Sequence, residues 1–254
     1  MFPILLKVGP LTLHTYGLLV AAGFLAAYAL SKQEFKRRGF SQELLDRLVM
    51  TLMISAILGA RIFYVGLEGF SEFKSDPLSF FRIWEGGLVF YGGFLAALMS
   101  LIVVVRMRRL SLLTFMDVFS GPLLLSQTIG RLGCFSAGCC YGRPTDVPWG
   151  VVFRDSHSLA PVGIPLHPTQ LYEAGAVFLL LIGWLLLRRF SLRPGVLSIY
   201  YLFGYGLVRF LVEFLRQDDR GPFVDGLSPS QWISVGALLL GCGVSLYVRK
   251  KRNS

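Results

Sequence analysis

Apolar residues come in long blocks rather than in strict alternation. Seven stretches (13–30, 48–67, 87–105, 112–129, 169–187, 196–215 and 231–248) each run for about 18–20 mostly apolar residues. A helix rises about 1.5 Å per residue, so about 20 such residues cross a hydrocarbon core of about 30 Å. The blocks predict an all-α integral membrane protein with about seven transmembrane helices. They form a single polytopic domain over residues 1–254, with no internal repeat. The fourth block is the least regular, because Asp117, Pro122 and Gln127 interrupt it.

The connections carry the orientation. Lys32, Lys36, Arg37 and Arg38 follow the first block, and Arg106, Arg108 and Arg109 follow the third. Arg188, Arg189 and Arg193 follow the fifth, and Arg249-Lys250-Lys251-Arg252 closes the seventh. The connections between are mixed: Glu68, Glu72, Lys74, Asp76, Arg82 and Glu85 after the second block, and Arg216-Gln217-Asp218-Asp219-Arg220 after the sixth. Basic clusters stay on the cytoplasmic side. The expected topology has the N-terminus outside, the C-terminus in the cytoplasm and the long 130–168 segment on the outer side.

Composition excludes other classes. Apolar residues make up 54% and charged residues 16%, against about 25% charged in a soluble domain. The net charge of +10 sits in short clusters between apolar blocks, as orientation signals do, and no nucleic-acid partner is expected. Residues 13–29 end in Ala27-Tyr28-Ala29, which looks like a signal-peptide cleavage site. The basic cluster follows this stretch rather than preceding it, so a retained helix is expected.

Ionisable groups inside a bilayer are costly and face a partner or a polar cavity. Arg209, Glu213 and Arg216 lie at i, i+4 and i+7 and so share one helix face. Two guanidiniums and one carboxylate leave a positive patch suited to a lipid phosphate, or else form a structural ion-pair ladder. Arg61, in Gly59-Ala60-Arg61, either snorkels to the surface or lines the same polar cavity. Gly130-Arg131-Leu132-Gly133 places an arginine between glycines at a helix end. Glycines there, and in Gly86-Gly87 and Tyr91-Gly92-Gly93, either admit a ligand through irregular backbone or let helices pack closely. His167-Pro168-Thr169-Gln170-Leu171-Tyr172-Glu173 opens the fifth helix, with Gln170 and Glu173 one turn apart and facing inward. His14 and His157 have no evident partner.

Cys134, Cys139 and Cys140 are clustered. Adjacent Cys139 and Cys140 lack the two-residue gap usual in zinc sites, and only His157 offers a further ligand. No metal or cofactor is expected. An outer location permits a disulfide, which keeps a membrane thiol redox protein as an alternative. Cys242 is expected in core packing.

Taken in order, the motifs resemble those of the bacterial prolipoprotein diacylglyceryl transferases over nearly the whole chain. His14-Thr15-Tyr16-Gly17, Gly59-Ala60-Arg61, 86–93, Gly130-Arg131-Leu132-Gly133, 167–173 and 209–216 each match a family motif. The resemblance implies transfer of the diacylglyceryl group of phosphatidylglycerol to the lipobox cysteine of a preprolipoprotein signal peptide. It also implies a multi-pass enzyme of the bacterial cytoplasmic (inner) membrane with its active site toward the outer, periplasmic face. By resemblance, Arg131 and Arg209 hold the lipid phosphate, Glu213 orients Arg209, and Arg216 adds charge. Tyr16, Gln170 and Glu173 line the substrate cavity, and Arg61, on its cavity reading, joins the substrate-binding residues. Tyr91 stands where many members have a histidine proposed as base, Cys134 and Ala137 where the signature has asparagines, and Cys139 where it has glutamate. The base is then Tyr91 or Glu173, or the phosphate contacts supply most of the rate. These departures also leave a diverged paralogue with a different acceptor as an alternative.

Overall fold

The structure is a computed structural model describing residues 2–9, 11–83, 86–218, 223 and 225–253. Glu85, Asp219 and Arg220, part of the charge reading above, lie outside the described residues, as do the side chains of Lys251 and Arg252. Helices dominate: α1 Thr15–Arg37, α2 Gln42–Leu67, α3 Phe70–Ser75, α4 Phe90–Met107, α5 Leu112–Ala137, α6 Thr169–Leu187, α7 Val196–Val212 and α8 Pro229–Asn253. Short strands form two antiparallel pairs, β1 Ile4–Val8 with β2 Leu11–His14 and β3 Val151–Val152 with β4 Pro165–Leu166. Among the described residues, 6 helices are long and apolar enough to cross a membrane, which makes this an all-α integral membrane protein. The third expected span is the shorter α4, of 18 residues, or about 27 Å at 1.5 Å per residue.

The chain divides into two compact units, residues 1–31 with 116–254, and residues 32–115. In the second unit, α2 starts at Ser41, whose side chain accepts a hydrogen bond from the Leu44 amide at 3.2 Å and caps the helix. Small residues then set how closely α2 and α4 pack. A Cβ added at Gly59 would sit 2.3 Å from Ala96 Cβ and 2.6 Å from the Gly92 carbonyl, and one at Gly92 would sit 2.5 Å from the Gly59 carbonyl. Of the two readings of Gly59, Gly92 and Gly93, close helix packing is the one observed. Phe35 packs edge-on against Phe115 at 5.8 Å, and Phe40 against Phe115 at 5.3 Å.

In the first unit, Leu30, Leu124, Val177, Leu181, Trp184 and Leu197 form a buried apolar core. Gly121 on α5 leaves room for the Trp184 ring, and Trp184 Nε1 donates to Ser120 Oγ at 2.7 Å. Pro122 does not end α5. The buried Asp117 carboxylate accepts from the Gly195 amide at 2.8 Å and the Ser198 amide at 2.7 Å. It thereby satisfies orphan donors at the start of α7 and places a negative charge at that helix N-terminus. Gln127 Nε2 donates to Tyr201 Oη on α7 at 3.0 Å, so two of the residues that broke the sequence pattern of this helix, Asp117 and Gln127, are its contacts to α7.

Candidate active site at one end of the helical unit

The end of α5, the start of α6, the end of α7 and the start of α8 meet through charged side chains. Arg131 Nη2 on α5 lies 2.9 Å from Glu173 Oε1 on α6. The other Glu173 oxygen lies 3.8 Å from Arg209 Nη1 on α7. Arg209 Nη1 lies 2.8 Å from Glu213 Oε2, and Arg209 Nη2 donates to Ser230 Oγ on α8 at 2.7 Å. Ser228 Oγ donates to Glu213 Oε1 at 2.6 Å. Arg216 Nη1 lies 3.6 Å from Glu213 Oε2, and its Nε and Nη2 clasp Asp218 at 2.9 and 2.7 Å. Glu173, Glu213 and Arg216 are buried.

Local structure explains how the end of α7 and the residues just past it supply three members. The i, i+4 spacing of Arg209 and Glu213 puts them on one face. A 3-10 turn over Glu213–Leu215 then tightens the end of α7. Arg216 follows in extended backbone, bridged to Gly142, while the Arg143 amide donates to the Leu215 carbonyl at 2.8 Å. Gly142 also donates to the His167 carbonyl at 3.0 Å, and a Cβ there would sit 2.6 Å from His167. Glycine at 142 thus lets one short segment join the α7 exit to the α6 entry.

The ion-pair ladder, one of the two sequence readings of Arg209, Glu213 and Arg216, is present and extends beyond those three residues. Glu173 and Asp218 join Glu213, so three carboxylates alternate with Arg131, Arg209 and Arg216. Burial opposes the charge on Arg216, but its hydrogen bonds to Asp218 and the nearby Cys140 and Glu213 outweigh that and hold its pKa above the ordinary arginine value.

Tyr16, near the start of α1, lies beside Gly133, where an added Cβ would sit 3.4 Å from its ring, and within electrostatic reach of Arg131 and the three cysteines. Gln170 is buried; its Nε2 donates to the Cys139 carbonyl at 2.7 Å, and its Oε1 has no hydrogen-bond partner among the described residues. Gly130 to Gly133 lie inside α5, which runs to Ala137, so the irregular backbone of one of the two sequence readings is not found at Arg131. Tyr205, one helical turn before Arg209, was missed by the sequence reading; it lies within hydrogen-bond reach of Arg131. Its i−4 relation to Arg209 was the available signal.

Arg61 and Tyr91 belong to the other unit. Arg61 is 4% exposed and does not snorkel. Its Nε donates to the Phe80 carbonyl at 2.9 Å, Nη1 to Gly86 at 2.8 Å and Gly87 at 3.0 Å, and Nη2 to Ser79. It also stacks over Tyr64 at 5.1 Å. Arg61 therefore ties the backbone at residues 79 and 80 to that at residues 86 and 87. Tyr91 opens the first turn of α4 and is 53% exposed.

The sulfurs of Cys134, Cys139 and Cys140 all lie within 4.8 Å of one another, although their spacing had argued against a metal centre. Hydrogen bonds from Cys134 and Cys139 pull the Cys140 thiol well below the usual thiol range, helped by Arg216 and Arg131. The same sharing pushes Cys139 up. His157 is outside this group; its ring pairs with Asp155 at 3.0 Å, a partner the sequence did not reveal. Cys242 is exposed rather than in the core.

Residues 3–247 match the sequence model of a family described as prolipoprotein diacylglyceryl transferase. Relatives named phosphatidylglycerol–prolipoprotein diacylglyceryl transferase include one from Bordetella bronchiseptica, 36% identical over 98% of this chain and 95% of its own length. Others come from Geobacter sulfurreducens (34% identical, covering 98% and 96%) and Clostridium tetani (34% identical, covering 95% and 95%). With a family match that covers residues 3–247 and relatives of that name 34–36% identical over nearly the whole chain, this chain belongs to the prolipoprotein diacylglyceryl transferase family.

Proposed function

We propose that this chain transfers the diacylglyceryl group of phosphatidylglycerol to the lipobox cysteine of a prolipoprotein. The observation that carries the reading is the part-buried ladder Arg131–Glu173–Arg209–Glu213 at one end of a family-matched helical unit. In the reaction the thiol sulfur attacks the glyceryl carbon bonded to the phosphate oxygen. A C–S bond forms, the C–O bond breaks, and glycerol phosphate leaves with the electron pair. The departing oxygen gains negative charge, which fixed guanidiniums stabilise in a low-dielectric site.

Arg131 and Arg209 suit that task. A guanidinium has five donors in a planar fork, and Glu173 engages one edge of each while fixing their separation. Phosphate oxygens would take the remaining donors. The unpartnered Gln170 Oε1 suits a hydroxyl of the glycerol headgroup. The thiol proton must go to a base, for which Tyr91 and Glu173 are the candidates. Arg61 contributes by shaping the loop that precedes Tyr91.

The membrane arrangement follows from charge. Arg188, Arg189, Arg193 and Arg249 sit at the helix ends opposite the ladder in this unit, and basic ends face the cytoplasm. The ladder then faces outward in the bacterial cytoplasmic membrane, with α4 counted as a seventh span, the N-terminus outside and the C-terminus inside.

The test is reconstitution with phosphatidylglycerol and a synthetic lipobox peptide, read by peptide mass. A diacylglyceryl mass gain that requires the peptide cysteine and Arg131 supports the reading. No gain, beside an active control enzyme, points to a paralogue with another acceptor.

A further inference from the structure

The proposed transfer makes no use of the three clustered thiols. Cys134 lies in the last turn of α5, and Cys139 and Cys140 lie in the turn that follows, yet their sulfurs converge within 4.8 Å. None of the three is in a disulfide. Around a three-coordinate ion with metal–sulfur bonds of about 2.3 Å, sulfurs stand about 4 Å apart, so closure needs under about 1 Å of movement. The turn is built to hold this arrangement. Cys140 adopts a left-handed φ of 61°, which costs energy for a residue with a side chain. Its carbonyl accepts from Thr169 Oγ1 at 2.7 Å, and that of Cys139 from Gln170 Nε2 at 2.7 Å. Two buried α6 side chains thus clamp the backbone that aims the sulfurs.

Two further points favour a soft cation over a disulfide. A disulfide joins two sulfurs and leaves the third, whereas one ion engages all three. Three thiolates around a monovalent or divalent ion also carry excess negative charge, and Arg131 and Arg216 stand nearby to balance it. Thiolate donors select copper(I) and zinc(II) over hard cations. We propose that Cys134, Cys139 and Cys140 form a trithiolate site for one thiophilic d10 cation of the copper(I)–zinc(II) class. The site stands whether or not the transferase reading does.

The experiment is anaerobic titration of the reduced, detergent-solubilised chain with copper(I) against a chromophoric copper(I) chelator. The same samples are alkylated with N-ethylmaleimide and mapped by mass. The expected result is one copper(I) per chain, with Cys134, Cys139 and Cys140 protected and the exposed Cys242 alkylated either way. Cys139→Ser should weaken binding at least about 100-fold, while Cys242→Ser should bind as the unmodified chain does. Because a cysteine variant can misfold, the protection pattern in the unmodified chain decides independently. Binding well below one equivalent, binding without protection of these three thiols, or undiminished binding by folded Cys139→Ser would each overturn the site.

Discussion

Glu173 and Arg131, 42 residues apart in sequence, meet at 2.9 Å between α6 and α5, and the same carboxylate reaches toward Arg209 on α7. One buried anion thus spaces two guanidiniums. Removing one partner of a buried pair strands the other, at a cost of about 3–5 kcal/mol. Glu173→Gln and Arg131→Gln should each lower thermal stability in detergent by an amount in that range. The double variant should lose clearly less than the sum, since both changes remove the same interaction. Additive losses in a double-mutant cycle would show that the two groups do not couple.

Arg209 makes contacts in two directions, to Glu213 at 2.8 Å and to Ser230 at 2.7 Å. A lysine ammonium is a single point and cannot reproduce that fork. Arg209→Lys should therefore reduce transfer at least about tenfold, roughly 1.4 kcal/mol at the barrier, while the protein still folds. Retention of full kcat/KM would show that charge alone suffices there.

The choice of base separates Tyr91 from Glu173. Tyr91→Phe keeps the ring and removes only the hydroxyl. If the Tyr91 phenolate takes the thiol proton and becomes the phenol, turnover of Tyr91→Phe should fall by about 100-fold or more, in the range typical of general-base loss, with little change in KM for phosphatidylglycerol. An unchanged kcat would remove Tyr91 from the chemistry and leave Glu173 or the phosphate contacts.

Arg61 donates to four carbonyls between Ser79 and Gly87. Hydrogen bonds from a charged donor are worth about 1.5–3 kcal/mol each net. Arg61→Ala should loosen this loop, raising amide exchange across residues 79–83 and 86–89 and admitting proteases. Unaltered exchange would show that the loop holds itself.

Gly59 and Gly92 face each other with no room for a methyl group. Gly59→Ala should push α2 from α4 and cost about 1–3 kcal/mol through overpacking. Gly66, with nothing within 4 Å of an added Cβ, serves as the tolerant control. Equal melting temperatures for the two alanine variants would contradict the close contact.

The helices were legible because apolar blocks of spanning length leave few alternatives, and each expected block carries a helix. The boundaries of the charged site were legible in part. Periodicity put Arg209 and Glu213 on one face, but Arg216 lies past the helix, in extended backbone after a 3-10 turn. Spacing within one helix also gave no sign that Glu173 and Asp218 would enter the cluster and balance it. Arg61 allowed two sequence readings, surface and cavity, while the fold directs its donors to a neighbouring loop.

The three cysteines show the same division. Their identities and order belong to the sequence, and the missing two-residue gap counted against a shared centre. A left-handed residue at Cys140 and two α6 side chains turn the chain back so that the sulfurs converge. Sequence alone determined what acts locally: which segments suit a bilayer, which helix faces carry charge and which family motifs are present. Tertiary structure decided which charge neutralises which and whether a buried arginine meets carbonyl or carboxylate. Those outcomes depend on distances between residues far apart in the chain, and Coulomb and hydrogen-bond energies change steeply over those few ångströms.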